Sequence, residues 1–133
     1  MPSSPQQRTR PLSFTAYVTE ADWRLLAAAA GALDFAGAST VARVAALLAA
    51  EYVLAGKPLQ ALGVTELRPC GRHPSRPHSL GLRMTRDERG ELRKAAALLG
   101  CKMAPFAVAA ALAVARQLVG PGDREAMEKR SGS

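Results

Sequence analysis

The sequence has little that would suit a secreted or membrane-spanning protein. It contains only two cysteines, Cys70 and Cys101, which is too few for a disulfide framework. The N-terminal residues are rich in Pro, Ser, Gln and Arg without an apolar core, so a signal peptide is not expected. The longest uncharged run, residues 103–115, falls short of the roughly 20 residues that span a bilayer. These absences predict a cytoplasmic protein that does not enter a membrane.

Residue sets that carry catalysis are also missing. No Ser/His/Asp or Cys/His set accompanies an oxyanion motif, and no glycine-rich phosphate loop follows a predicted strand. Cys70, His73 and His78, with or without Cys101, could be zinc ligands, but they lack paired CxxC or HxxxH spacing and lie in a proline-rich segment. We predict no enzymatic activity, no cofactor and no metal site.

Alanine and positive charge are abundant. The chain of 133 residues contains 27 alanines, which favour helix. The net charge is +7 and is unevenly distributed: residues 1–10 carry +2, residues 57–94 carry +5 and residues 11–56 carry −2. Clustering of this kind suits a polyanionic partner, although solubility alone would also explain a basic chain.

Two short segments alternate between apolar and other residues. In the first, Leu12, Phe14, Ala16 and Val18 alternate with Ser13, Thr15 and Tyr17. In the second, Leu80, Leu82 and Met84 alternate with Ser79, Gly81 and Arg83. A period of two predicts strands with one buried face, here the face of the apolar residues.

Each predicted strand leads into two predicted helices. Thr19 with Asp22, and Thr85 with Glu88, are spaced as helix caps. Ser39 or Thr40 is expected to cap the second helix, and Pro105 to lie in the first turn of the fourth. The buried stripes expected from helical spacing are, in chain order, Trp23, Leu26, Ala27, Ala30 and Leu33; Val41, Val44, Ala45, Leu48 and Tyr52; Leu92, Ala95, Ala96 and Leu99; and Val108, Leu112, Ala115 and Val119.

The strands and caps of the two halves align at an offset of 66 residues, as in Ser13/Ser79 and Thr19/Thr85. Each half is too small to bury an adequate core alone, so the halves are expected to pack on each other. The predicted organisation is a flexible basic arm (1–10), a first strand-helix-helix unit (11–55), a Pro/Gly/Arg-rich linker (56–76), a second unit (77–120) and a disordered tail (121–133). Within the linker, residues 59–67 are expected to form a short helical turn on the core.

The order strand, Thr cap, helix, Gly-containing turn, helix resembles the ribbon-helix-helix family of DNA-binding proteins. The second unit is similar to family antitoxins that pair with acetyltransferase toxins, in Leu82-Arg83-Met84-Thr85, Ala95-Ala96-Ala97-Leu98-Leu99-Gly100, Phe106 and Ala110-Ala111-Leu112. The first unit matches only the general pattern. The resemblance implies a mainly α-helical fold with a two-stranded antiparallel β-ribbon, in which two units of one chain form an intramolecular pseudo-dimer.

The resemblance also implies which residues contact DNA. The outward strand positions of the family touch base edges, and here they are Ser13, Thr15, Tyr17, Ser79 and Arg83; Gly81 offers no side chain. The family contacts phosphates at the N-terminus of each second helix, here residues 38–40 and 103–105. We expect phosphate contacts from Ser39, Thr40 and Lys102, and from the flanking Arg8, Arg10, Arg76 and Arg86.

The expected function is sequence-specific binding of double-stranded DNA, as a transcriptional repressor or as an accessory factor in plasmid transfer or maintenance. Tandem chains of this kind resemble the DNA-binding accessory proteins of conjugative plasmids. The alternative is an antitoxin that neutralises a toxin and autoregulates its operon. Besides DNA, the expected partners are a second copy of the chain, a relaxosome protein or a toxin, in a bacterial cytoplasm on nucleoid or plasmid DNA. A homodimeric structural protein in which both strand faces are merely solvated is the remaining interpretation.

Overall fold

Two seven-residue strands pair antiparallel in the computed structural model, which describes residues 12–34, 37–64 and 67–119. Strand β1 spans Leu12–Val18 and strand β2 spans His78–Met84. Leu12 lies opposite Met84, and Val18 lies opposite His78. The predicted basic arm with Arg8 and Arg10, and the predicted tail 121–133, lie outside the described residues.

In the part of the chain that the structure describes, four helices follow the strands in pairs, as the sequence pattern predicts. Helices α1 and α2 follow β1, and α3 and α4 follow β2. Their bounds are Glu20–Ala32 for α1, Ala38–Leu54 for α2, Arg86–Leu98 for α3 and Met103–Leu118 for α4. The mainly helical class with a two-stranded antiparallel sheet is therefore confirmed.

Threonine side chains fix the start of the first helix in each pair. The Asp22 N–H donates to Thr19 Oγ1 at 3.2 Å, and the Glu88 N–H donates to Thr85 Oγ1 at 3.2 Å. At Thr85 the capping box is complete, because the Thr85 N–H also donates to Glu88 Oε1 at 2.9 Å. Each cap satisfies amides that the first helical turn leaves unpaired. Both predicted caps are confirmed.

The core lies between one face of the ribbon and the helices. The ribbon contributes Ala16, Val18, Leu80, Leu82 and Met84, each at most 1% exposed. Helix α4 packs on β1, whereas α2 packs on β2 and most extensively on α4. The buried face of α2 consists mainly of small side chains: Ala38, Val41, Ala42, Ala45, Ala46, Ala49, Ala50 and Val53.

The stripe expected on α2 was wrong in part. Val44 and Leu48 are 42% and 48% exposed, while alanines that the pattern did not weight are buried. The fold buries the alanine face because small side chains let α2 approach its neighbours closely, whereas the pattern favoured the larger residues. Helical spacing also predicted, wrongly, that Ala27 and Leu99 are buried. Ala27 is exposed, and Leu99 is 40% exposed.

The expected cap of α2 also differs. Gly37 occupies the N-cap position, and no side chain there caps the helix. Ser39 and Thr40 lie instead inside the first turn. The Thr40 N–H donates to the Gly37 carbonyl at 3.1 Å, because the helix begins two residues before Thr40.

The linker packs on the core. A 3-10 turn spans Leu59–Leu62, and the side chains of Leu59 and Val64 are buried, which confirms the expected helical turn. Further along, Cys70 is 6% exposed, and its carbonyl accepts the Tyr17 N–H at 2.9 Å. The linker thus reaches the edge of β1 that does not face β2.

No helix in the described part of the chain is by itself both long and apolar enough to cross a membrane. Helices α3 and α4 meet that criterion only as a pair, and they are bent by 93° at their junction.

Candidate nucleic-acid interface

One face of the ribbon is exposed and polar. Ser13, Thr15, Ser79, Gly81 and Arg83 are exposed, Tyr17 is partly exposed, and the alternate residues of both strands from Ala16 and Leu80 onward are buried. Successive side chains of a strand point to opposite faces, so every exposed residue lies on the face away from the helices. The predicted orientation of the two strands is confirmed.

The register gives this outer face three cross-strand pairs. Ser13 lies opposite Arg83 at one end and Tyr17 lies opposite Ser79 at the other. Thr15 lies opposite Gly81 in the middle. The space that a side chain at position 81 would occupy is open, with no atom within 4 Å other than those of Gly81 and its two chain neighbours. The surface is therefore shallow in its centre, with its two largest side chains at opposite ends on different strands.

The dimensions of the ribbon suit a DNA groove. Its strands run for about 20 Å and lie about 4.8 Å apart. The major groove of B-DNA is about 12 Å wide and admits a two-stranded ribbon. Of the exposed side chains, Arg83 can donate two hydrogen bonds to guanine, and the hydroxyls of Ser13, Thr15, Tyr17 and Ser79 can donate or accept one.

The start of α4 lies beside the middle of the ribbon. Thr15 lines a groove with Lys102, Met103 and Ala104, and Arg93 of α3 lies at the same groove. Lys102 is the N-cap of α4 and provides no side-chain cap, so the cap leaves the first amides of the helix without a side-chain acceptor. Pro105 in the first turn has no N–H to offer. The groove combines two cationic side chains with a helix N-terminus, which attracts anions.

Arg93 was missed by sequence reasoning. It is seven residues after Arg86, two turns along α3, so helical spacing places both arginines on one face. Arg86 is the exposed first residue of that helix. The i, i+7 spacing of the two arginines was the signal that could have identified Arg93.

The start of α2 differs from that of α4. Ser39 and Thr40 are half-buried in the first turn of α2, the helix that packs on β2. Their hydroxyls supply the polar groups that the start of α4 lacks. The Thr40 amide is engaged by Gly37, so the amides of Ala38 and Ser39 are the ones that the helix geometry leaves for an anion.

A second groove lies at the Tyr17 end of the ribbon. It is lined by Tyr17 and Ser79 and by the linker residues Arg72, His73 and Arg76. The predicted phosphate contact Arg76 is half-buried, and its Nε donates to the Gly71 carbonyl at 2.8 Å. Arg72 is exposed. Arg72 was not predicted from the sequence, because irregular segments give no periodicity from which to place a side chain.

Acidic residues near the strand ends are engaged in ion pairs. Glu20 bonds His78 and, through Oε1, Arg24 at 3.0 Å. The hydrogen bond from His78 lowers the pKa of Glu20 below its ordinary value. Desolvation opposes this effect, and the hydrogen bond from Arg24 adds a weaker lowering. The His78 ring also stacks on Trp23, with centroids 4.9 Å apart. This cluster joins the start of β2 to the start of α1.

The candidate zinc ligands do not form a site in the part of the chain that the structure describes. Among residues 12–34, 37–64 and 67–119, no three His, Cys, Asp or Glu side chains are grouped so as to hold a metal ion. Cys70 and Cys101 are free thiols, and burial raises the pKa of each. A raised pKa leaves less of the nucleophilic thiolate at neutral pH.

No protein-family model matches this sequence, and neither the curated proteins nor the solved structures contain a match to it.

Proposed function

We propose that this chain binds double-stranded DNA sequence-specifically, with the outer face of its ribbon in the major groove. In this proposal the two strand-helix-helix halves are ribbon-helix-helix units that form a pseudo-dimer within one chain. The observation that carries the proposal is the polar outer face of an antiparallel ribbon whose register follows the internal repeat.

The register supports a pseudo-two-fold axis. Gly81 is 66 positions after Thr15 and is also its cross-strand partner. The repeat offset takes Ser13 to Ser79 and Tyr17 to Arg83, so it exchanges the two outer pairs of the ribbon. A rotation through the Thr15–Gly81 pair would therefore superimpose the two strands. Register is fixed by which face is buried, and a slip by one residue would reverse the faces.

The packing between the halves supports the same arrangement. Helix α2 of the first half packs on β2 and α3 of the second, while α4 of the second packs on β1 and α1 of the first. The contacts are reciprocal, as they are across a two-fold interface. Because each half completes the core of the other, the pseudo-dimer would fold as one unit.

The positively charged flanks support a phosphate-binding role. Lys102 and Arg93 lie on one side of the outer face, and Arg72 and Arg76 lie at the Tyr17 end. Phosphate contacts position a protein on the duplex, while base contacts from the ribbon specify the sequence. Because the repeat offset pairs Tyr17 with Arg83 and Thr15 with Gly81, the two strands would read different bases, and the preferred site would not be a palindrome.

A salt titration tests the proposal. A duplex selected by the full-length chain from a random pool should bind with log K falling linearly as log salt rises, by about 0.9 for each phosphate contact. Failure to enrich any duplex, or an affinity that does not change with salt, would contradict DNA binding. A repressor or plasmid accessory factor would enrich promoter or origin DNA from its own genome, whereas an antitoxin would also copurify with a toxin.

A further inference from the structure

The linker ends in a loop that is attached to the ribbon. The Cys70 carbonyl accepts the Tyr17 N–H at 2.9 Å, and Cys70 itself is buried. Residues 71–77 then pass around the end of the ribbon to reach His78, the first residue of β2 and the partner of Val18. We call residues 71–77 the ribbon-end loop.

Hydrogen bonds within the ribbon-end loop fix its conformation. The Arg76 N–H donates to the His73 carbonyl at 2.9 Å and closes a turn. The Ser75 N–H donates to His73 Nδ1 at 3.1 Å inside that turn. The Arg76 Nε donates to the Gly71 carbonyl at 2.8 Å, which joins the two ends of the loop. The loop thus presents its side chains from an ordered backbone.

The loop and the ribbon together form a basic groove. Tyr17 and Ser79 line it from the outer face, and Arg72, His73 and Arg76 line it from the loop, around a volume of about 520 Å³. No carboxylate lines this groove in the described part of the chain. Two guanidinium groups without a lining acid give the groove a positive potential that would attract an anion.

We propose that the ribbon-end loop is a separate DNA-contacting element, in which Arg72 and Arg76 bind the phosphates beside the base pairs that Tyr17 and Ser79 contact. This inference rests on the proposed function of the ribbon. A guanidinium has five N–H donors and pairs bidentately with phosphate. The bond from Nε to Gly71 uses one donor of Arg76 and orients the rest of the group.

The loop would add phosphate contacts at only one end of the ribbon. The chain carries one linker between its two units. At the 66-residue offset Arg72 corresponds to Gln6, so its charge has no counterpart ahead of β1, whereas Arg76 corresponds to Arg10, which lies outside the described residues. The loop would extend the protected DNA beyond the Tyr17–Ser79 end of the ribbon. It would also fix the direction in which the protein lies on its site.

The test compares two double variants of the full-length chain on the duplex selected by wild-type protein. Arg72→Ala/Arg76→Ala removes two loop charges, and Lys57→Ala/Arg116→Ala removes two charges elsewhere. Arg116 lies 13 residues beyond Met103 on α4, about 20 Å along the helix axis from the helix start that lies beside Thr15. Lys57 lies three residues beyond Leu54, the last residue of α2, and its Nζ lies 4.9 Å from the centroid of the Tyr52 ring.

Each phosphate contact contributes about 0.9 to the slope of log K against log salt. Loss of two contacts should therefore reduce the slope of the loop variant by about 1.8. Its hydroxyl-radical footprint should shorten at one end only, and the control variant should keep the wild-type slope and footprint. Arg72→Ala alone leaves the Arg76–Gly71 bond intact and should reduce the slope by about 0.9.

A loop variant with the slope and footprint of the control would overturn this inference while leaving DNA binding by the ribbon in place. If wild-type protein selects no duplex, the proposed function fails and the inference fails with it. Thermal melting of each variant checks that reduced DNA binding does not result from unfolding. A wild-type footprint for a folded Arg72→Ala chain would count against DNA contact by the loop.

Discussion

Thr15 lies directly opposite Gly81 at the centre of the ribbon, and the two residues are also 66 positions apart, the offset of the internal repeat. Their side chains differ, although their positions correspond. The space above Gly81 is open to 4 Å, so nothing in the described packing requires a glycine there. The difference therefore affects the outer face and not the core.

Gly81→Thr should stabilise the fold. A glycine inside a strand costs roughly 0.5–1 kcal/mol relative to alanine, and a Thr–Thr cross-strand pair adds a favourable contact. Urea unfolding should show a free energy of unfolding raised by about 0.5–1 kcal/mol. A lower value would mean that the space above Gly81 is needed by the fold itself.

Glu20→Gln should flatten the acid side of the stability profile. The pKa of Glu20 is lowered in the folded state by His78 and then Arg24, so its contribution is present above the ordinary carboxyl range near 4.5 and disappears as the pH falls through the folded value. Wild type should lose more stability than the variant between pH 6 and pH 3, as measured by urea unfolding. Glu51→Gln is the control, because Glu51 is an exposed carboxylate without an ion pair among the described residues. Parallel curves of stability against pH for Glu20→Gln and wild type would contradict this account.

Thr85→Ala should destabilise the chain by about 1 kcal/mol, because it removes the acceptor of the Glu88 amide and breaks the capping box. Ser39→Ala is the matched comparison, since the α2 cap is Gly37 and makes no side-chain bond. That change should stay within about 0.5 kcal/mol in the same unfolding measurement. Equal losses for the two variants would show that Ser39 also caps its helix.

Ala46→Leu should cost about 1–3 kcal/mol through overpacking. Ala46 is 0% exposed on the alanine face of α2, which packs most extensively on α4. Leu48→Ala, at a residue 48% exposed on the same helix, should change stability far less. If Leu48→Ala proved the more damaging of the two, the helix would bury the other face.

The strands and caps could be predicted because their signals are local. Period-two alternation identifies the buried face of a strand, and Thr19 and Thr85 each have an acid at the spacing that a cap requires. The buried face of α2 could not be predicted, because apolar side chains lie all around that helix and only packing decides which row is covered. The attachment of Cys70 to Tyr17 had no signal, since an irregular segment docks by a backbone bond that no side-chain pattern records.

The measurement that tests the central claim most directly is the sequence preference of Arg83→Ala. Arg83 is exposed on the outer face opposite Ser13, in a position to contact a base edge. On the duplex selected by wild type the variant should lose about 1–3 kcal/mol of binding free energy, while its affinity for scrambled duplex and its salt slope change little. Lys57→Ala should match the affinity of wild type for both the selected and the scrambled duplex. Equal losses on selected and scrambled duplex, or no loss on either, would contradict base recognition by the ribbon.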